Sequence, residues 1–221
     1  MNKRICTRIR TRVTLAFLLM VLAGLSLFAN AEEFQEGKDY LRLANPVPIS
    51  NTEGKSEVVE LFWYGCPHCY NLEPRIEQWV ENKPDNVEFV RIPAVLGRSW
   101  ELGARAFFTA DELGVLDTTH AKLFDAIHGE KRTINNKEQL AEFFAEQGVD
   151  KEAFSKAYDS FSVETKLKRS QQLVKRYRID GVPAIIVNGK YMVTVSSAGS
   201  SARVFDVVDY LLAKEEDSSA S

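Results

Sequence analysis

The sequence predicts an α/β fold that is interrupted by a long all-helical segment. A strand, a helix and a second strand follow one another between residues 58 and 93, which makes a βαβ unit with two parallel strands. Residues 99–178 then show helical spacing and no convincing strand. A β-hairpin and a last helix complete the chain, so the α/β part is expected to lie on both sides of the helical segment.

The first half of the fold follows from two apolar strands and the helix between them. The run VVELFWY at residues 58–64 is apolar on both faces except for Glu60, which is typical of a central strand buried on both sides. From Cys66 onward, apolar residues at helical spacing predict a helix in which Pro74 is expected to cause a kink. The run NVEFVRIP at residues 86–93 predicts the second strand.

The second half is predicted to be helical until the chain returns to the sheet. Five stretches of residues 99–178 have helical spacing, and glycine or polar turn residues separate most of them. The run PAIIVNGKYMV gives two short strands on either side of Asn188-Gly189, a pair typical of a two-residue hairpin turn. The run SARVFDVVDYLLAKE predicts a closing amphipathic helix.

Residues 1–31 have the pattern of a secretory signal peptide. A basic stretch without acidic residues is followed by an apolar stretch and then by Ala29-Asn30-Ala31, which has the form of a cleavage site. The alternative is a membrane anchor, but the apolar run is about 16 residues long and falls short of the roughly 20 needed to span a bilayer. We therefore predict export and cleavage after Ala31.

Removal of that segment changes the charge and the cysteine count. It takes five of the 28 Lys and Arg and none of the 31 Asp and Glu, so the remaining 190 residues have a net charge of −8 instead of −3. Such a chain has no electrostatic basis for binding nucleic acid or anionic lipid. Cys6 is removed as well, which leaves Cys66 and Cys69 as the cysteines of the exported chain.

The motif CPHC at residues 66–69 is the pattern that carries chemistry. A structural zinc site needs four ligands, and His120 and His128 are eight residues apart, outside the spacing of a zinc-binding pair. A structural disulfide that closes so short a loop would remove little chain entropy. Because Cys-x-x-Cys at the strand-to-helix junction of a βαβ unit is typical of a redox pair, we predict a reactive disulfide.

The position of the motif explains how it would react. A cysteine at the first turn of a helix meets unpaired N–H groups and the positive end of the helix dipole, which favour the thiolate. Pro67 suits the first helical position, and His68 adds a donor or partial positive charge near the Cys66 sulfur. Cys69 would lie one turn further in. The more the Cys66 thiolate is stabilised, the more oxidising the disulfide becomes.

The stretch VVELFWYGCPHCYNLEP, with IDGVPAIIVNGKYMV far downstream, closely resembles the DsbA family of periplasmic thiol:disulfide oxidoreductases. The likeness covers essentially the whole chain after the signal peptide. It implies a thioredoxin fold with an inserted all-helical domain. The corresponding domains are residues 32–98 for the first thioredoxin-like part, 99–170 for the helical domain and 171–221 for the second thioredoxin-like part.

The resemblance also implies roles for the four residues of the motif. Cys66 matches the exposed nucleophilic cysteine of the family, and Cys69 matches its buried partner. Pro67 and His68 match the dipeptide that tunes the pair.

Three further residues are assigned by the same likeness. Pro183 matches the family's cis-proline, which lies beside the disulfide and presents backbone for a substrate strand, with Val182 preceding it; from the residues alone, Gly-Val-Pro is a turn signal. Glu60 resembles the acid beneath the family's active site, and a lone acid in an apolar strand is costly to bury unless it is used or paired. The alternative for Glu60 is a strand-end carboxylate that reaches solvent.

These observations predict a dithiol oxidase that donates the Cys66–Cys69 disulfide to unfolded or folding exported proteins with free cysteines. No metal and no organic cofactor is expected. The resemblance implies a periplasmic location, a monomer, and re-oxidation by a membrane protein of the DsbB type. Two alternatives stay open: a disulfide reductase or isomerase on the same fold, and a secreted peptide-binding or chaperone module with a structural disulfide.

Overall fold

The β-sheet and the helices around it are seen in a computed structural model that describes residues 34–49 and 54–219. The predicted signal peptide lies outside these described residues. Within them, none of the helices is both long enough and apolar enough to cross a membrane.

The described residues form five strands and eight α-helices, joined in the predicted order. The strands are β1 (Leu41–Arg42), β2 (Ser56–Phe62), β3 (Val87–Pro93), β4 (Ala184–Val187) and β5 (Tyr191–Thr194). The helices are α1 (Pro67–Asn82), α2 (Glu101–Glu112), α3 (Leu116–His128), α4 (Lys137–Glu146), α5 (Lys151–Tyr158), α6 (Phe161–Tyr177), α7 (Val195–Ala198) and α8 (Val204–Ser219). The predicted α/β fold with a helical insertion between β3 and β4 is therefore confirmed.

The sheet has the strand order β1-β5-β4-β2-β3. Strands β2 and β3 are parallel, as the βαβ pattern predicts, and β4 runs antiparallel to both of its neighbours. Strand β2 ends at Phe62, two residues earlier than predicted, because Trp63 and Tyr64 turn toward α1 and the Cys66 N–H donates to the Trp63 carbonyl at 2.9 Å. The short strand β1 has no counterpart among the predicted elements.

The hairpin between β4 and β5 has one loop residue more than predicted. Asn188 and Gly189 occupy the turn with φ angles of +50° and +62°, and the Lys190 N–H donates to the Val187 carbonyl at 2.9 Å. Pairing resumes between Val187 and Tyr191, so that Lys190 belongs to the loop. The turn also contacts the segment between β1 and β2, since the Val47 N–H donates to the Gly189 carbonyl at 2.9 Å.

A Gly189→Ala substitution is expected to lower the free energy of unfolding by at least about 3 kcal/mol. Gly189 has positive φ, and a β-carbon there would lie 1.8 Å from the Val47 carbonyl oxygen. Gly148→Ala is the matched control, because Gly148 also has positive φ but has nothing within 4 Å of the added atom. It should cost only about 1–2 kcal/mol. Equal losses for the two variants in chemical denaturation would contradict this account of the turn.

Helix α1 contacts two hydrophobic cores. Leu72, Ile76 and Trp79 pack with the sheet and with α8, whereas Cys66 and Cys69 pack with aromatic residues of the helical segment. Pro74 lies inside α1, and the helix continues through it to Asn82. The start of α1 is thus fixed at the place where β2 and the helical segment meet.

Helix α6 leads from the helical segment back to the sheet without a break. It spans residue 170, so a domain boundary at that residue would fall inside one continuous helix. The predicted division at residues 98 and 170 stays a prediction.

Candidate active site

The two cysteines occupy the first turn of α1. Cys66 is the N-cap residue with φ −91° and ψ 115°, and Pro67 takes the first helical position, where its missing N–H leaves no bond unmade. Cys66 has 7% of its surface exposed and Cys69 has none. The nucleophile implied by the resemblance is therefore accessible over a small area, not broadly exposed, while its partner lies underneath.

The surroundings of the two sulfurs separate their pKa values. A hydrogen bond from the Cys69 thiol is the largest cause that lowers the pKa of Cys66 to about 6; the backbone N–H groups of Cys69 and His68 and the charge of His68 act in the same direction, against burial. The same thiol–thiol contact, together with burial, raises the pKa of Cys69 far above its usual value. No disulfide joins the two sulfurs, so these are properties of the dithiol form.

The loop before β4 lies against the Cys66 sulfur. The peptide bond between Val182 and Pro183 is cis, and the Cys66 thiol donates to the Val182 carbonyl oxygen over 3.5 Å. Pro183 is buried and Val182 is half-buried. The fold thus brings Val182 into contact with Cys66, although the two residues are 116 positions apart in the sequence.

Glu60 is fully buried under the start of α1. Side chains alternate along a strand, so that Glu60 shares a sheet face with Val58 and Phe62, and α1 covers this face. Arg91, its register partner on β3, places Nε 3.3 Å from Glu60 Oε2, an ion-pair distance without the alignment of a hydrogen bond. The carboxylate does not reach solvent, so the strand-end alternative does not describe this structure.

Arg91 holds two more carboxylates beside Glu60. Its Nη2 atom donates to Glu73 Oε1 at 2.7 Å and also to Glu77. Burial, followed by the charge of Glu73, raises the pKa of Glu60 to about 8, with Arg91 acting in the opposite direction. Burial would also raise the pKa of Glu73, but the contacts with His120 and Arg91 outweigh it and lower that pKa. Glu60 is therefore the proton-holding member of this buried group.

Two histidines of α3 extend the polar group toward the cysteines. The Tyr64 hydroxyl lies 2.8 Å from His120 Nδ1, and His120 Nε2 lies 3.3 Å from Glu73 Oε1. His128 Nε2 lies 2.8 Å from the backbone oxygen of Tyr64, two residues before Cys66. From the sequence these histidines were considered as zinc ligands and excluded, and their part in the site was not predicted. Their spacing of eight, which places both on one helix face, is the signal that could have joined them.

The site has the chemistry of thiol–disulfide exchange. A low-pKa sulfur near the surface, a high-pKa sulfur below it and a backbone carbonyl beside them suit the attack of a thiolate on a disulfide. Among the residues that the structure describes, no three His, Cys, Asp or Glu side chains are grouped as metal ligands.

Comparison with known proteins identifies the family of the chain. Residues 57–204 match the family model described as a DSBA-like thioredoxin domain. The thiol:disulfide interchange protein DsbA of Pseudomonas aeruginosa is 43% identical over 201 residues, covering 90% of this chain and 95% of its own. The protein of the same name from Pseudomonas syringae pv. tomato is 44% identical over 203 residues, covering 92% and 94%.

Solved structures give the same result. The crystal structure of Pseudomonas aeruginosa DsbA superimposes with a TM-score of 0.82 at 42% identity, covering 87% of this chain and all of that one. The oxidoreductase NmDsbA1 of Neisseria meningitidis gives a TM-score of 0.72 at 28% identity, covering 86% and 100%. The chain therefore belongs to the DsbA family of the thioredoxin fold, and it is a thiol:disulfide oxidoreductase with the disulfide oxidase role of that family.

Proposed function

We propose that the protein donates its Cys66–Cys69 disulfide to exported proteins that are still folding. The observation that carries this proposal is the opposite displacement of the two pKa values at the start of α1. A stabilised Cys66 thiolate favours the reduced enzyme, and whatever favours the reduced enzyme makes its disulfide a stronger oxidant.

The proposed reaction is two successive exchanges. A substrate thiolate attacks the Cys66 sulfur, the Cys66–Cys69 bond breaks, and Cys69 leaves and takes up a proton, since its pKa is high. A second substrate thiolate then attacks the substrate sulfur of the mixed disulfide, and Cys66 leaves as a thiolate. Two electrons pass from the substrate to the enzyme, and one disulfide is lost as another forms.

The neighbouring residues receive supporting roles in this proposal. Pro67 begins the helix directly after Cys66 without an N–H group of its own. His68 contributes its charge and its backbone N–H to the stabilisation of the Cys66 thiolate. Val182 and Pro183 offer backbone for an extended substrate segment beside the sulfur. Glu60 has a raised pKa, and its charge acts on the pKa of Cys69, so it is assigned the role of supplying the proton that the departing Cys69 sulfur takes up.

The setting of the reaction follows from the same proposal. The signal-like residues 1–31 indicate export, and the family likeness indicates the periplasm. The reduced enzyme would be re-oxidised by a membrane protein of the DsbB type, and the enzyme would act as a monomer.

The proposal is tested with the isolated protein carrying its disulfide. Mixed with a reduced dithiol peptide in the absence of glutathione, each molecule of oxidised enzyme should convert one molecule of peptide, with its two thiols, to the disulfide form. Equilibration with glutathione should give a potential well above that of thioredoxin. A potential as reducing as that of thioredoxin would contradict the direction of electron flow proposed here.

Alkylation of Cys66 in the reduced protein is expected to be half-maximal near pH 6, because its pKa is lowered to about 6. The folded pKa lies below the unfolded one, so the thiolate stabilises the reduced fold fully at pH above about 9 and loses this effect as the pH falls through 6. The free energy of unfolding of the reduced protein, measured relative to that of the oxidised protein, should therefore rise from pH 6 to pH 9. An alkylation midpoint near 9 would contradict this assignment.

A further inference from the structure

A small apolar pocket opens between the start of α1 and the helical segment. Its volume is about 110 Å³. The side chains that define it are Trp63, Leu102, Ile127 and Ile134, and the glycines at 65 and 103 leave room between them. Of the other lining residues, Ser99 is exposed at the rim, and the Tyr64 hydroxyl is already bound by His120. The pocket therefore offers apolar contacts and few hydrogen-bonding groups.

The pocket is lined by Trp63, Tyr64 and Gly65, the three residues that precede the reactive cysteine. Trp63 stacks on Trp100 with ring centroids 4.3 Å apart and folds back over Gly65, where an added β-carbon would lie 2.3 Å from the indole. Any residue other than glycine at position 65 would clash with the Trp63 indole that forms this side of the pocket. Because consecutive Cα atoms lie about 3.8 Å apart, the Gly65 side of the pocket is within one residue of Cys66.

The size of the pocket limits what can enter it. An apolar cavity of about 150 Å³ lined by aliphatic and aromatic side chains holds a benzene ring. A volume of about 110 Å³ is smaller, and suits a branched aliphatic side chain such as leucine or isoleucine. A substrate chain must pass the Cys66 sulfur to react, so its residues next to the attacking cysteine are those that can reach the pocket.

We propose that this pocket is a specificity subsite that binds a branched aliphatic side chain next to the reacting cysteine of the substrate. The inference rests on the proposed function and adds a preferred substrate class to it. The occupant belongs to an unfolded or extended chain, since such a side chain is buried once the substrate has folded.

The test compares two reduced dithiol peptides that differ only beside the attacking cysteine, with leucine in one and serine in the other. The oxidised enzyme should react with the leucine peptide about tenfold faster in kcat/KM, the discrimination expected of a few apolar contacts. In Gly103→Leu, the new side chain fills the pocket, and the ratio of the two rates should fall toward one. The change in the ratio should come from a slower reaction of the leucine peptide, and the midpoint of Cys66 alkylation should stay near that of the wild-type enzyme.

Two further variants secure the result. Gly103→Ala adds a single carbon at 3.4 Å from Tyr64 Cδ2, an ordinary contact, and should reduce the preference partly even if the leucine variant fails to fold. Ala121→Leu adds the same side chain at an exposed site of α3 outside the pocket, and should keep the full preference. Equal rates for the two peptides with the wild-type enzyme, or an unchanged ratio in folded Gly103→Leu, would overturn the subsite. Oxidation of neither peptide would overturn the proposed function itself.

Discussion

Cys66→Ser is expected to abolish disulfide donation, because the variant can neither hold the Cys66–Cys69 disulfide nor offer a sulfur to the substrate thiolate. The loss should exceed a thousandfold and leave only the uncatalysed rate of peptide oxidation. The fold should be retained, since serine is close in size to cysteine and 7% of the Cys66 surface is exposed. The measurement is the oxidation of a reduced dithiol peptide, with circular dichroism as the check on folding.

Cys69→Ser is the matched variant that separates the two sulfurs. It keeps the Cys66 thiol but removes the group that would release a bound partner. Mixed with a peptide disulfide, it should accumulate a mixed disulfide that is visible on a non-reducing gel, whereas Cys66→Ser should form none. Covalent capture by Cys66→Ser through Cys69 would reverse the roles assigned here to the two cysteines.

Arg91→Met is expected to lower the free energy of unfolding by about 3–5 kcal/mol at pH 8, since it leaves buried carboxylates without their cation. Arg91 contacts Glu60, which has no exposed surface, and Glu73, which has 5%. Without the arginine, the pKa of Glu60 moves further above that of an unfolded glutamate, and the pKa of Glu73 rises because it loses one of the contacts that lower it. Raised pKa values favour the fold at low pH, so the loss should be largest above pH 8 and shrink toward pH 4.5, where both states bind the protons.

Arg132→Met is the control for the loss of an ion-paired arginine. Arg132 makes two hydrogen bonds of 2.6 and 2.8 Å to Glu146 in a solvent-exposed setting, so its removal should cost no more than about 1 kcal/mol. A second check is the double variant Arg91→Met with Glu60→Gln, which removes one of the abandoned charges and should recover part of the loss. Equal effects of the two arginine substitutions at pH 8 would contradict the proposed cost of burying these carboxylates.

The strand and helix patterns predicted the fold because they depend on local spacing. An apolar strand followed by Cys-x-x-Cys and a helix is visible within a short stretch of residues, and so is the hairpin around Asn188-Gly189. The extra loop residue Lys190 was not predictable, because it depends on the register of β4 with β5 and on the contact of Gly189 with Val47.

From residue patterns alone, the candidate site was predictable only where its residues are neighbours in sequence, and Val182, Pro183 and Glu60 were assigned through the family resemblance. Cys66 and Cys69 could be assigned from spacing, whereas His120 and Arg91 reach Glu73 from two separate elements, α3 and β3. No local pattern records such a meeting. The sequence predicted that the helix start and His68 would lower the pKa of Cys66. In the structure the largest cause is the hydrogen bond from the Cys69 thiol, which could not be predicted because it depends on the positions of both side chains.

Helix α1 carries the redox pair at one end and belongs to two cores along its length. Cys69 packs among the aromatic residues of the helical segment, while Leu72 and Ile76, one and two turns further on, pack against the sheet. Because one helix contributes side chains to both cores, we expect a change in the bonding of the two sulfurs to alter the free energy of global unfolding and not only the fraying of the first turn of α1.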